Sequence, residues 1–251
     1  PAGYDVYAVA MIRLNLTLVL GDACEALGDD RLLVARGRSR AAAARIFDRF
    51  MGPDGAVMEL RRSDDRAEDT LMTRHINPGH TLEGLWMLLT VAARERNHDW
   101  LSRAHQAARR ALERGWDEVH GGIFYYVDRD GGAPAGAAGA SNYEAGVRTS
   151  WDTKLWWVHS EAIYATALSC RLSGDVRMRE WFERIWEYAF WTFPQPDPTI
   201  GEWIQIRDRR GDPLERVVAL PVKDPYHVAR NLIQVIALLD SAKPGSPMMP
   251  A

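Results

Sequence analysis

Residues 75–89, HINPGHTLEGLWMLL, contain the best-defined helix start in this sequence. Asn77 is a residue type that caps helices, and Pro78 is favoured in the first helical turn. Apolar residues then recur at helical spacing, which predicts a helix over residues 78–96 with one face in a core.

His80 falls in the first turn of this predicted helix. Backbone N–H groups there have no helical partner and the helix dipole is positive, so a histidine at this position tends to stay neutral near pH 7 and can accept a proton. Glu83, three residues later, shares the same helix face and is placed to orient His80. The alternative interpretation is a capped helix whose histidine only packs or forms a hydrogen bond.

Six further segments show apolar residues at the same helical spacing. Their predicted bounds are 7–27, 31–50, 100–114, 150–172, 175–191 and 225–239. Short turns join most neighbours, which predicts antiparallel helix pairs. About seven helices in such pairs indicate an all-α fold of the α/α-toroid type, in which each pair covers its apolar face with the next. A closed six-pair barrel needs twelve helices, so the predicted barrel is incomplete.

Two glycine-bounded segments break the helical pattern and resemble each other. Residues 121–131, GGIFYYVDRDG, match residues 201–211, GEWIQIRDRRG, in residue type, and residues 54–60 form a looser copy. This repeat predicts a unit of two helices plus a short β-hairpin within one domain over residues 1–251. The glycine- and alanine-rich residues 131–146 predict a flexible loop, and residues 242–251 predict a frayed tail.

Composition limits the classes of partner. The formal net charge of −3 has both signs interspersed, which argues against nucleic acid as a partner and leaves small molecules and proteins. The two cysteines, Cys24 and Cys170, lie in apolar helical patterns as free thiols, which favours a reducing, cytoplasmic location. No uninterrupted apolar run approaches the ~20 residues of a membrane span, so no membrane association is predicted. Homodimer formation through uncovered barrel helices stays open.

A second histidine, His227, lies at another predicted helix start, with Arg230 three residues later. Inner helices of an α/α toroid run in one direction, so these starts are expected to meet at one mouth. The segment 154–162, KLWWVHSEA, adds aromatic faces and titratable groups that suit a sugar; the candidates for this role are Trp156, Trp157, His159 and Glu161. The alternative is that the tryptophans, of which the chain has ten, pack in the core.

Five ordered motifs resemble the N-acylglucosamine 2-epimerase family, which includes cellobiose 2-epimerases, aldose–ketose isomerases acting on mannose-type sugars, and renin-binding protein. They are INPGHTLEGLW, GGIFYYVDRDG, KLWWVHSEA, GEWIQIRDRRG and YHVAR, and they cover nearly the whole chain. The resemblance implies an (α/α)6 barrel in which two histidines flank C2 of an open-chain sugar.

The resemblance also implies residue roles. His80 and His227 would exchange the C2 proton through an enediolate, interconverting N-acylglucosamine and N-acylmannosamine type sugars. Glu83 and Glu161 look like the family's supporting carboxylates, and Trp157 like its sugar-facing aromatic. We also expect sugar contacts from Trp156, His159 and Arg230. An α-proton is only weakly acidic, so the reaction needs a base poised near neutral pH, which a histidine provides.

Several alternatives follow from departures from the family pattern. Thr17 and Val19 stand where cellobiose epimerases and mannose isomerases carry two histidines, which disfavours those substrates, and Ala229 replaces the usual proline after the His-Val pair. The family's N-terminal helices and their sugar-binding arginine have no counterpart in the sequence. An aldose–ketose isomerase, a non-catalytic sugar- or protein-binding member and an inactive truncated barrel therefore remain alternatives. No metal-ligand spacing and no phosphate loop are present, so no cofactor is predicted and nucleotide dependence stays open.

Overall fold

Three strand–helix–helix–strand units follow one another along the chain. The computed structural model describes residues 2–216 and 225–241, so the predicted tail at 242–251 lies outside the described residues. The first unit is β1 (Tyr4–Val6), α1 (Tyr7–Leu27), α2 (Leu32–Arg49) and β2 (Leu60–Arg62), followed by the short helix α3 (Leu71–Arg74). The second is β3 (His75–Ile76), α4 (Pro78–Arg94), α5 (His98–Gly115) and β4 (Val127–Asp128), followed by α6 (Asn142–Ser150). The third is β5 (Lys154–Leu155), α7 (Trp156–Ser173), α8 (Val176–Thr192) and β6 (Ile206–Arg207). A π-helical turn (Pro225–Ala229) then leads into α9 (Arg230–Ser241).

The two strands of each unit pair with each other in antiparallel fashion. In each unit the first residue of the leading strand faces the last residue of the closing strand. These facing residues are Tyr4 and Arg62, His75 and Asp128, and Lys154 and Arg207. Each unit is therefore closed at its ends, and each of the helices α1, α4 and α7 begins directly after such a strand pair.

The helices form two layers. In the inner layer α4 packs between α1 and α7, and α7 also packs against α9; in the outer layer α2, α5 and α8 each cover the inner helix that precedes them. Helix α4 is the centre of the core, with thirteen of its 17 residues buried. Side chains from all three units share one main hydrophobic cluster, to which Leu14, Leu85 and Ile163 contribute fully buried side chains.

The helix boundaries follow local sequence. The Asn77 side chain accepts a hydrogen bond from the His80 backbone N–H at 3.1 Å, which confirms the predicted cap of α4. Gly28 ends α1 in the left-handed conformation, with φ of 64°, and Gly174 ends α7 in the same way, with φ of 66°. The seven long helices of the described part of the chain match the predicted number.

Two predicted boundaries and one predicted strand pairing are wrong. Helix α7 begins at Trp156 instead of residue 150, because Lys154 and Leu155 are held extended by pairing with β6. The predicted loop over residues 131–146 ends at Ser141, whose hydroxyl caps α6. The repeated segments do form bridged turns, between Trp116 and Ile123 in the first. Their strands, however, pair with the strand that precedes the inner helix of the same unit.

The outward face of α1 is apolar. Six of its large apolar side chains are exposed: Val9, Ile12, Leu16, Val19, Leu20 and Leu27. By length and composition α1 would also be able to cross a membrane, although its other face packs against α2 and α4 as a core helix of a soluble protein does. The prediction of no membrane association therefore stays a prediction.

Candidate active site

His80 is held by a carboxylate that approaches from the first unit. Its Nδ1 atom lies 2.9 Å from Oε1 and 3.1 Å from Oε2 of Glu59, so the ring N–H donates to this carboxylate. Glu59 is buried just before β2, and its carbonyl accepts from the Tyr7 N–H at 2.9 Å. Burial alone would lower the pKa of His80, but the charge of Glu59 and this hydrogen bond outweigh it and raise the pKa. The Glu59 carboxylate therefore acts against the expected tendency of His80 to stay neutral.

His227 is held by a second carboxylate, on α7. Its Nδ1 atom lies 2.7 Å from Oε1 of Glu161, which is fully buried. The Arg230 guanidinium donates to both oxygens of Glu161, at 2.8 and 3.1 Å, and the Trp86 indole N–H donates to Oε2 at 3.0 Å. The predicted His227, Glu161 and Arg230 thus form one hydrogen-bonded group.

The indole ring of Trp157 contacts both histidine rings. Its centroid is 5.3 Å from that of His80 with a 36° interplanar angle, and 5.5 Å from that of His227 with a 37° angle. The two imidazoles therefore lie against one aromatic ring at similar distances and angles. About a quarter of each histidine side chain is exposed, 26% for His80 and 23% for His227, so both can be reached by a small molecule.

The π-helical turn that carries His227 is fixed from two sides. On one side the Ser160 hydroxyl of α7 donates to the His227 carbonyl at 2.8 Å, and the buried Asn231 amide donates to Ser160 at 3.0 Å. On the other side the Asn15 amide of α1 donates to the Tyr226 hydroxyl. Wide turns of this kind inside helices are frequent at functional sites. Helices α1 and α7 thus both contact the same turn.

Glu83 lies beside Glu161 and His227. The three residues offer oxygen and nitrogen atoms that all lie within 4.8 Å of one another. Burial and the neighbouring charge of Glu161 raise the pKa of Glu83 to about 7. The expected role of Glu83 in orienting His80 is wrong, because Glu59 occupies that position.

This cluster of Glu83, Glu161 and His227 is also the group whose residue types would suit a metal ion. Arg230, however, already donates to both oxygens of Glu161. A divalent cation there would lie against a permanently charged guanidinium, so the arrangement favours charge pairing over metal binding.

Two of the predicted sugar-contacting residues are structural. His159 is fully buried; its Nδ1–H donates to the Leu155 carbonyl at 2.7 Å, and its Nε2 accepts from the Ile123 N–H at 2.8 Å. Both ring nitrogens are thus used within the fold, and burial lowers the pKa of His159 to about 3. Trp156 lies in the main hydrophobic cluster. The assignment of His159 and Trp156 to sugar contact is therefore wrong, because the start of α7 turns both side chains into the core.

Two residues of the site lay outside the sequence predictions. Glu59 follows Met58 in a short extended run, and the apolar character of that run was the available sign that its carboxylate is buried. Trp86 lies on the apolar face of α4 and donates to Glu161. The sequence contains no signal that distinguishes such a tryptophan from one that only packs in the core. Both depend on contacts between units.

The site as a whole can exchange protons at carbon. Each of two imidazoles has its Nδ1 atom fixed by a carboxylate, which sets ring orientation and leaves Nε2 as the proton-exchanging atom in such pairs. The aromatic face of Trp157 beside them suits the apolar face of a sugar ring or chain. Deprotonation and reprotonation at a single carbon require two proton-transferring groups at one site, and this pair of histidines offers them.

Known sequences match most of the chain. The family model described as N-acylglucosamine 2-epimerase (GlcNAc 2-epimerase) matches residues 38–230. The N-acylglucosamine 2-epimerase of Bos taurus is 33% identical over 237 residues, covering 93% of this chain and 51% of the relative. That of Homo sapiens is 33% identical over 228 residues, covering 90% of this chain and 49% of the relative. The chain spans about half the length of these curated relatives.

Solved structures share its architecture. A crystal structure of D-mannose isomerase superposes with a TM-score of 0.74 at 19% identity, covering 94% of this chain and 57% of the other. The cellobiose 2-epimerase from Bacillus thermoamylovorans superposes with a TM-score of 0.67 at 19% identity, covering 90% of this chain and 52% of the other. At this identity the likeness shows the fold, and it confirms the predicted (α/α)6-barrel class.

Proposed function

This chain belongs to the N-acylglucosamine 2-epimerase family, and on that basis we propose that its site interconverts an N-acylglucosamine with the corresponding N-acylmannosamine. The observation that carries the proposal is that His80 and His227 each have Nδ1 held by a carboxylate and lie at similar distances from one indole, that of Trp157. Inversion at C2 requires a proton to leave from one face and return to the other, and two separately held histidines at one site can supply the two proton transfers.

The proposed reaction proceeds on the open-chain sugar. One histidine takes the C2 proton through Nε2, and the electron pair of the C–H bond forms a C1–C2 double bond while the C1 carbonyl oxygen becomes an enolate; C2 keeps its acylamino group. The second histidine then donates a proton to C2 from the opposite face. Arg230 and a protonated Glu83 lie next to this reaction centre and supply the positive and neutral hydrogen-bond donors that stabilise a developing oxyanion.

The relatives favour an N-acylated amino sugar over the neutral sugars of the structural neighbours. The curated sequences at 33% identity carry the name N-acylglucosamine 2-epimerase, whereas the mannose isomerase and cellobiose epimerase structures are 19% identical. Because the chain spans about half the length of these relatives, activity of the whole protein is part of the proposal.

Proton NMR in heavy water tests the proposal directly. We expect each of N-acetylglucosamine and N-acetylmannosamine to give the other epimer with deuterium at C2. His80→Asn and His227→Asn should each abolish net epimerisation, whereas His98→Asn, on the exposed start of α5, should retain it. Formation of a ketose from mannose, which carries a hydroxyl at C2, would support the aldose–ketose isomerase alternative. Binding of sugar without any C2 exchange would contradict the catalytic proposal and support a sugar-binding role.

A further inference from the structure

Two neighbouring residues of α7 hold His227 at two different places. Oε1 of Glu161 lies 2.7 Å from Nδ1 of the His227 ring, and the Ser160 hydroxyl donates to the His227 backbone carbonyl at 2.8 Å. A hydrogen bond at Nδ1 alone lets an imidazole swing about that bond. A second anchor on the backbone of the same residue limits this movement and sets the direction in which Nε2 points.

The direction of each hydrogen bond follows from the available donors. A carbonyl oxygen only accepts, so the single proton of the Ser160 hydroxyl is committed to His227. The hydroxyl oxygen then accepts from the Nδ2 atom of Asn231, in α9, at 3.0 Å. The Asn231 amide therefore keeps the Ser160 proton directed at the His227 carbonyl.

Asn231 is costly to keep in the core. Its side chain is fully buried, and its Oδ1 atom has no hydrogen-bond partner within residues 2–216 and 225–241. A buried amide oxygen without a partner lowers stability, whereas a leucine of similar size carries no such oxygen. The hydrogen bond to Ser160 is what an apolar residue at this position could not supply.

His80 has a backbone anchor of the same kind. Its N–H donates to the buried Asn77 at 3.1 Å, while its ring is held by Glu59. Each histidine thus has one anchor on its ring and one on its main chain, and a buried asparagine takes part in each main-chain anchor. His80 lies in a regular α-helical turn, whereas His227 lies in a π-helical turn, a wider geometry that is rare in proteins.

We propose that Ser160 and Asn231 are positioning residues that hold the π-helical turn in the form that directs Nε2 of His227 at the reacting carbon. The kinetic part of this inference rests on the proposed epimerase function. A displacement of about 1 Å at a reacting group can cost about 100-fold in rate, so loss of this anchor should act on kcat rather than on sugar binding.

Variants of Ser160 test the hydroxyl. We expect Ser160→Ala to lower kcat about tenfold or more while KM changes by less than about twofold, and Ser160→Thr, which keeps the hydroxyl, to recover most of the loss. The matched control is Thr166→Val. Thr166 is another fully buried hydroxyl on α7, but it donates to the Ala162 carbonyl of its own helix at 2.7 Å, so its removal should leave kcat unchanged.

Asn231→Leu separates positioning from stability. This variant removes the unpaired amide oxygen together with the donor, so the urea midpoint should stay at or above that of wild type while kcat falls as in Ser160→Ala. A residue with a purely structural role would lower both together. Because the two variants break the same chain of hydrogen bonds, the double variant should have a kcat close to that of Ser160→Ala.

The position of the ring can be followed without sugar. In protein labelled with ¹⁵N in the histidine rings, His227→Asn identifies the His227 signals. Ser160→Ala and Asn231→Leu should shift its Nδ1 signal, whereas Thr166→Val should not. A wild-type His227 signal in Ser160→Ala would overturn the proposal, and so would a fall in the urea midpoint of Asn231→Leu with kcat unchanged. A chain whose His227 signal shifts as expected but which shows no C2 exchange would retain the positioning role and remove the epimerase proposal.

Discussion

A Cβ atom added to Gly79 would lie 2.8 Å from two carbon atoms of the Trp157 ring. The indole that contacts both histidines therefore rests against bare backbone in the first turn of α4, as does Cγ2 of Val158, 2.6 Å from the same added atom. We predict that Gly79→Ala pushes the indole out of place, lowers kcat by tenfold or more, and destabilises the fold by about 1–3 kcal/mol through overpacking. Epimerisation rates and urea unfolding measure the two effects.

The control for this variant is Gly37→Ala in α2, where an added Cβ meets no atom within 4 Å. That substitution should leave kcat unchanged and stabilise the protein by about 0.5–1 kcal/mol, because alanine favours helix over glycine. Equal activities of the Gly79→Ala and wild-type proteins would show that the position of Trp157 does not matter for the reaction.

Glu83 should make stability fall as the pH rises. Its pKa in the folded state, about 7, lies above the ordinary 4.5, because burial and Glu161 disfavour the charged form. The folded state therefore holds the proton more tightly than the unfolded state, and stability is lost between pH 4.5 and 7. Glu83→Gln removes this loss, so at pH 8 the variant should be more stable than wild type by up to about 3 kcal/mol.

Urea unfolding at pH 4.5 and pH 8 measures this difference. The gain should be confined to the higher pH, and kcat should fall at the same time if Glu83 donates to the oxyanion. A variant less stable than wild type at pH 8 would show that the ionised carboxylate is stabilised by its neighbours.

His159 should produce the opposite pH dependence. Burial lowers its pKa to about 3 in the folded state, below the 6.5 of an unfolded histidine, so stability is lost as the pH falls from about 6.5. We predict that His159→Gln costs about 1–3 kcal/mol at pH 7, because the Ile123 N–H and the Leu155 carbonyl lose their partner. Between pH 7 and 5 wild type should lose about 2 kcal/mol more than the variant.

Unfolding free energies at the two pH values test this prediction. An identical pH slope for the two proteins would mean that His159 takes up a proton in the folded state. The KM for sugar should also be measured. Because His159 lies in the core, the His159→Gln variant should keep a KM close to the wild-type value.

The exposed face of α1 should mediate self-association. Ile12 is 53% and Leu16 64% exposed, and they belong to a row of apolar side chains with no cover among the described residues. We predict that Ile12→Lys with Leu16→Lys weakens self-association at least tenfold in sedimentation equilibrium. Val119→Lys, at an exposed turn after α5, is the control and should have no effect.

Local sequence predicted the parts of this fold that depend on local contacts. Asn77 and Pro78 mark the start of α4 through backbone preferences that act within one turn, and the structure places that start as predicted. The start of α7 was missed because the extended state of Lys154 and Leu155 depends on pairing with residues some fifty positions later. No local signal contains that information.

The same distinction applies to the site. His80 and His227 are recognisable because each lies in a motif at a helix start, and the structure brings both to Trp157. Glu59 was missed because its partner, His80, belongs to another unit. His159 was misassigned because a histidine next to a site residue in the sequence can still point into the core. Periodicity shows that a residue is on a helix; which neighbour its side chain meets is decided by packing between units.

The strand pairs that close each unit have a consequence for evolution. The segments between units, residues 63–74 and 129–153, leave and return at these pairs, at the end of the barrel where α4 and α7 begin and where His80 and Trp157 lie. Such segments can be lengthened, shortened or replaced around a bound sugar while every helix pair keeps its own closed framework. A lineage built in this way can change its substrate through its connecting segments and inherit its proton-transfer chemistry intact.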